Sequence, residues 1–190
     1  MSDLYMSNLF VSGSPHHHHH RAYNEYKLLK NLSSVKRLAL FNPAKLLYGR
    51  PAPLNFLPVF SHLTELELGM IGELLLESRF IVAILHKCPN LSYLKFTTGI
   101  YVNSVTADAI FDPPPRCFQS SLEVIEIRSF EAVYEGLLAM KILLRTAGVL
   151  KKVFIYPRRA EAGQQLPGNL LQLINALPRA SDQCELLLGV

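Results

Sequence analysis

The sequence predicts an α/β solenoid with six or seven short parallel strands in a curved sheet and helices and loops on the convex side. Two observations carry this: an apolar motif that recurs at near-constant spacing, and apolar helical faces in several of the segments between its copies. The motif reads apolar, two variable, apolar, one variable, apolar. It stands at Val35/Leu38/Leu40, Leu63/Leu66/Leu68, Leu91/Leu94/Phe96, Leu122/Ile125/Ile127 and Leu150/Val153/Ile155. Its last positions are Leu40, Leu68, Phe96, Ile127 and Ile155, equal steps except for a slightly longer one from Phe96 to Ile127. Apolar residues two apart point to the same side of a strand. One such unit cannot bury that side alone, whereas stacked units share a continuous core. This combination is the leucine-rich-repeat signature.

The elements follow in chain order. A weaker first copy is placed at Met6/Leu9/Val11, about one repeat step before Leu40. Residues 1–27 are read as a partial repeat with a histidine-rich loop, in which His16–His20 is native low complexity with no metal role. Residues 28–113 hold the leucine-rich repeats, and 114–190 continue the stack. Asn42–Pro58 carries Pro43, Pro51, Pro53 and Pro58, so this return is irregular. Leu74, Ile81, Ile84 and Leu85 share one face of a helix predicted within Glu73–Lys87. Thr98–Cys117 contains Pro113, Pro114 and Pro115 and is expected to loop. Leu137, Met140, Leu144 and Ala147 line a further helix, with Gly148 suited to its C-terminus. Leu170, Leu171, Ile174 and Leu177 line a short one that Pro178 closes. A weaker last copy, Leu186 and Leu188, follows Ile155 by a longer step, with Gln183 breaking its first position.

Composition narrows the function classes. The chain has 190 residues, 49% hydrophobic and 18% charged, with a net charge of +4, which excludes wholesale disorder. No uncharged apolar run is long enough to predict a membrane span, and the start lacks a signal-peptide pattern. A cytoplasmic or nuclear protein is expected, with no membrane partner. Its basicity is spread along the first half; the nearest approach to a patch is Lys151, Lys152, Arg158 and Arg159. Nucleic-acid binding through that cluster is the alternative reading, disfavoured by the weak clustering. Cys88, Cys117 and Cys184 are too few and too widely spaced for a disulfide framework or zinc site, and are expected as reduced, buried thiols. No nucleophile elbow, phosphate-cradling loop or zinc-protease helix is present. His86 beside Cys88 reads as helix-end packing, and Asp108 and Asp112 read as turn formers. No enzyme activity and no cofactor are expected.

Side chains between the buried strand positions line the concave face. The central row is Phe10, Ala39, Glu67, Lys95, Glu126, Phe154 and Leu187, flanked by Arg37, Glu65, Tyr93, Arg128, Lys152 and Tyr156. Aromatic and arginine side chains anchor protein interfaces. Glu67, Tyr93, Lys95, Glu126, Arg128, Lys152, Phe154 and Tyr156 are therefore the candidate contacts for an unknown protein partner.

The run Phe60-Ser-His-Leu-Thr-Glu-Leu-Glu-Leu-Gly69, followed by Leu85-His-Lys-Cys-Pro-Asn-Leu91, resembles the repeats of plant F-box proteins. The runs starting at Pro115, Leu143 and Leu177 resemble, in order and spacing, the FBD domain that ends many plant F-box/leucine-rich-repeat proteins. The resemblance covers about residues 28–190, with its FBD part at 114–190. It implies the substrate-recognition part of a subunit of a cullin–RING ubiquitin ligase, in which an F-box docks on the ligase adaptor and the repeats select the target. Residues 1–34 do not resemble an F-box, so adaptor binding is not expected of this chain. A truncated paralogue without a retained partner is a further alternative.

Overall fold

The computed structural model describes residues 3–6, 31–41, 57–70, 72, 74–103, 109–158 and 170–189. Seven parallel strands form one sheet in chain order, β1 to β7. They are β1 (Asp3–Met6), β2 (Arg37–Phe41), β3 (Glu65–Gly69), β4 (Tyr93–Phe96), β5 (Val124–Phe130), β6 (Lys152–Pro157) and β7 (Glu185–Leu188). The helices given in full by the described residues are α1 (Arg79–His86), α2 (Arg116–Ser120), α3 (Tyr134–Thr146) and α4 (Leu170–Asn175). The molecule is thus α/β with a parallel sheet, as the sequence predicts. No described helix is long and apolar enough to cross a membrane.

The register explains the recurring motif. Leu38, Leu66, Leu94, Ile125, Val153 and Leu186 lie opposite one another along one row. Leu40, Leu68, Phe96, Ile127, Ile155 and Leu188 form the next row. Apart from Leu188, which is exposed, both rows face the same core as the first motif positions Val35, Leu63, Leu91, Leu122 and Leu150. The helices close that core: Phe80, Ile81, Ile84 and Leu85 of α1 and Ala139, Met140, Leu143 and Leu144 of α3 belong to it. The described helices with buried residues therefore pack on one side of the sheet; the other side, on which no described helix packs, is called the open face below.

A repeated hydrogen-bond device fixes the spacing. The carbonyl of Lys36 accepts from the N–H groups of Thr64 and Glu65. Thr64, Ser92 and Glu123 carbonyls accept in the same paired way from the next strand's entry, and the Lys151 carbonyl accepts from Glu185. Hydroxyls reinforce it: Thr64 Oγ1 donates to Lys36 O at 3.2 Å and Ser92 Oγ to Thr64 O at 3.1 Å. Ser181 Oγ, itself buried, donates to Leu150 O at 2.6 Å. This satisfies backbone groups that burial would otherwise leave unpaired. Before β7, where Gln183 breaks the apolar motif, Ser181 and Cys184 are the buried residues.

Three expectations need correction. The first strand is Asp3–Met6, with Leu4 opposite Leu38 and Met6 opposite Leu40. Met6 thus takes the last motif position rather than the first; Leu9, Phe10 and Val11 lie outside the described residues. The predicted helix Glu73–Lys87 begins only at Arg79. Leu74 and Leu76 are fully buried, but outside the helix, flanking the bridge of Leu75 to Tyr101: Tyr101 N–H donates to Leu74 O at 3.0 Å and Leu76 N–H to Tyr101 O at 2.9 Å. Thr98–Cys117 does not loop to its end, because α2 starts at Arg116. Gly148 does stand just past the C-terminus: α3 ends at Thr146, Ala147 caps it in extended conformation, and Gly148 N–H donates to Phe118 O at 2.9 Å. His16–His20, Asp108, Arg159 and most of Asn42–Pro58 lie outside the described residues.

Candidate partner-binding face

The open face carries three side-chain rows, because residues 37, 39 and 41 of β2, and their counterparts on each strand, point away from the core. The first row is Arg37, Glu65, Tyr93, Val124, Lys152 and Glu185. The second is Ala39, Glu67, Lys95, Glu126, Phe154 and Leu187. The strand register thus brings together the predicted candidate residues across β3 to β6.

Much of the polar content is already paired within the face. Arg37 Nε lies 3.0 Å from Glu65 Oε2, and Lys95 Nζ 3.2 Å from Glu67 Oε2. Glu126 is the centre of a second group. Its Oε2 accepts from the Tyr93 hydroxyl and its Oε1 from Arg128 Nε at 2.5 Å. The Glu126 side chain is only 10% exposed, whereas Arg128 is 51% exposed. The Arg128 guanidinium also lies 4.8 Å from the centroid of the Tyr156 ring, within cation–π range.

A β-bulge follows this group. Ile127 pairs with Ile155, but Phe130 pairs with Pro157, so β5 holds one residue more than β6 over this stretch. Ser129 absorbs it with φ 52°, in the left-handed region. The bulge returns Phe130 to the core while leaving Arg128 on the open face. Beyond it, Tyr156 leans over Gly189, where a Cβ would collide with the ring. Gly69 makes the same room for the Phe41 ring and the Thr97 hydroxyl.

Electrostatics follow from these contacts. Burial by itself would raise the Glu126 pKa. The hydrogen bonds from Tyr93 and Arg128, with the positive charges of Arg128 and Lys95, outweigh it and hold the carboxyl below its ordinary range. Burial first, then the bond and charge of Glu126, push the Tyr93 hydroxyl up. The bond to Glu126 raises the Arg128 guanidinium. A carboxyl whose folded pKa is lowered contributes stability that is fully present above its unfolded pKa of about 4.3 and is lost as pH falls through the folded value. Between about pH 6 and pH 3, the wild-type melting temperature is therefore expected to fall further than that of Glu126→Gln; equal falls in thermal melts would show that Glu126 gains nothing from its partners.

The remaining candidates are placed as follows. Lys152 is exposed at the rim, and Phe154 and Tyr156 are half-buried beside Leu187. Within the basic cluster, Lys151 Nζ pairs with Glu123 at 2.8 Å and Arg158 with Glu131. His62 and His86 are exposed, and His86 ends α1. All three cysteines are free and buried. Burial, with Cys117 nearby, pushes the Cys88 thiol up, and burial pushes Cys117 up to about 12, so neither is poised as a nucleophile. No group of metal-ligating side chains occurs among the described residues. Neither the Glu126 hydrogen-bond centre nor the bulge follows from the sequence reading. The one available signal is Glu-x-Arg on β5, two like-facing positions of opposite charge.

Comparison with known proteins matches residues 112–155 to the FBD family. An FBD-associated F-box protein of Arabidopsis thaliana is 33% identical over 69% of this chain and 27% of its own length. An F-box/FBD/LRR-repeat protein of the same plant is 32% identical over 84% of this chain and 34% of its own length. Another protein of that description is 24% identical, again over 84% of this chain and 34% of its own length. The chain thus spans about a third of the length of these curated relatives. No solved structure matches it at a significant level. The FBD match falls on the segment from the turn before α2 to β6, and the relatives' similarity reaches over most of the stack: the chain belongs to the plant FBD-type family.

Proposed function

We propose that the chain is a non-catalytic protein-interaction module, a leucine-rich-repeat solenoid whose curved open face selects a protein target. In this reading it corresponds to the target-recognition part of an F-box ubiquitin-ligase subunit, working in the cytoplasm or nucleus. The repeats span 28–113, after the partial repeat and histidine loop of 1–27. The FBD-like region 114–190 extends the same stack; in its support, the register runs from β4 through β7 with one bulge. The observation that carries the reading is the composition of the β5–β7 face. Phe154, Tyr156 and Leu187 stand there partly open beside Arg128, while the charges of β2–β4 are spent on one another. Aromatic and arginine anchors surrounded by settled neighbours are what protein interfaces use.

Proximity labelling in plant cells tests it with the whole chain as bait. The wild type is expected to label a reproducible target that Phe154→Ala/Tyr156→Ala loses about tenfold, the effect of roughly 1.4 kcal/mol. Lys151→Ala, off this face, is expected to keep it. Targets indifferent to the double substitution, with its fold confirmed by circular dichroism, would refute the assignment of this face.

A further inference from the structure

Arg128 is held in a way that leaves its recognition edge unused. A guanidinium carries five N–H donors in a rigid fork. Only Nε is engaged, by Glu126 Oε1, and the plane is steadied against the Tyr156 ring. Among the described residues the terminal Nη nitrogens have no acceptor. Glu126 offsets part of the guanidinium charge but leaves the Nη donors available to a partner. Both its oxygens are occupied, one by Tyr93, and it is nearly buried while Arg128 is half exposed. An approaching chain therefore meets the guanidinium rather than the carboxylate. Next to it on β6 and β7 lie the apolar surfaces of Phe154 and Leu187, opposite each other in register. The paired Nη edge matches the two oxygens of a carboxylate.

Resting on the interaction reading above, we propose that Arg128 anchors a partner's aspartate or glutamate, and that the adjoining Phe154/Leu187 surface takes a bulky apolar residue next to that acid. The partner segment is thus an acidic–apolar peptide stretch. Glu126 and Tyr156 are positioning residues, which fix the arginine before the partner arrives.

The test uses the full chain to select from a displayed library of short random peptides. Selected peptides are expected to share Asp or Glu within a residue or two of Leu, Ile, Phe or Tyr. A consensus peptide, measured by fluorescence polarisation, is expected to bind about tenfold more weakly to Arg128→Gln, and its own Glu→Gln counterpart equally weakly to the wild type. Combining the two changes should cost no more than either alone, the signature of a direct contact. Arg128→Lys, which keeps the charge and loses the fork, should fall between and guards against a folding effect of Arg128→Gln. Peptides without an acid, an acid indifferent to Arg128, additive losses in the double cycle, or no selected peptide at all would each overturn the proposal. The wider reading is judged separately, by whether target labelling depends on Phe154 and Tyr156.

Discussion

Leu94→Asp is expected to abolish the cooperative thermal transition of the chain. Leu94 is fully buried at the centre of the sheet, opposite Leu66 on one side and Ile125 on the other. Removing a buried leucine side chain costs about 2–5 kcal/mol through lost transfer and the cavity left behind. Placing an unpaired carboxylate in that row adds several kcal/mol more, or forces it to take up a proton. Total stabilities are typically about 5–15 kcal/mol, so the sum consumes most or all of it. Leu188→Asp provides the contrast. Leu188 lies on β7 in the neighbouring apolar row, that of Phe96, but is 39% exposed, so its charge stays in water and the transition should survive. Circular dichroism melts check both; a Leu94→Asp melting temperature close to that of the wild type would contradict the packing of β4.

The same rows explain how much of the molecule is legible in its sequence. Strands β2 to β6 follow from apolar positions alone, because a parallel strand buried on one side must repeat the i, i+2 pair, and the backbone ladder holds the repeat length nearly constant. The N-terminal strand is misplaced for the same reason. Leu4/Met6 and Leu9/Val11 satisfy the pair equally, and constant spacing favours the wrong one; the step from Met6 to its true partner Leu40 is longer than any between Leu40 and Ile155. Leu74 is misread because a short apolar run suits a helix face and an extended segment alike, and its partner Tyr101 is remote in sequence. On the open face, the residues that become neighbours are readable from strand spacing. The bonds among them are not. Tyr93 reaches Glu126 diagonally, and Phe130 returns to the core only because Ser129 takes up an extra residue just after Arg128. Pairing of that kind depends on a local backbone conformation that no apolar periodicity encodes.

Gly136→Ala is expected to lower stability by about 2 kcal/mol, against the ordinary trend for a helix. In an exposed helix interior this substitution gains up to about 1 kcal/mol, because glycine has the more flexible unfolded chain. Gly136 is buried in the first turn of α3, and φ is not what demands glycine there. The constraint is space. After Phe130 the chain turns through Glu131–Val133 directly into α3, and a Cβ on Gly136 would run into the Glu131 carbonyl oxygen. That atom is backbone, so no rotamer change relieves the clash. Either α3 lifts from the sheet or the turn leaving β5 shifts. The turn is also tied down elsewhere: Leu137 N–H donates to Val133 O at 3.0 Å, and Val102 N–H donates to Glu135 O at 3.2 Å. Overpacking of this kind costs about 1–3 kcal/mol and outweighs the helical gain. For a chain of this size the loss corresponds to a drop of roughly 4–8 °C in melting temperature. Because the turn follows directly on the bulge next to Arg128, the same variant should weaken acidic-peptide binding, whereas Gly136→Ala melting at or above the wild-type temperature would show that the turn yields freely and that α3 does not brace the face.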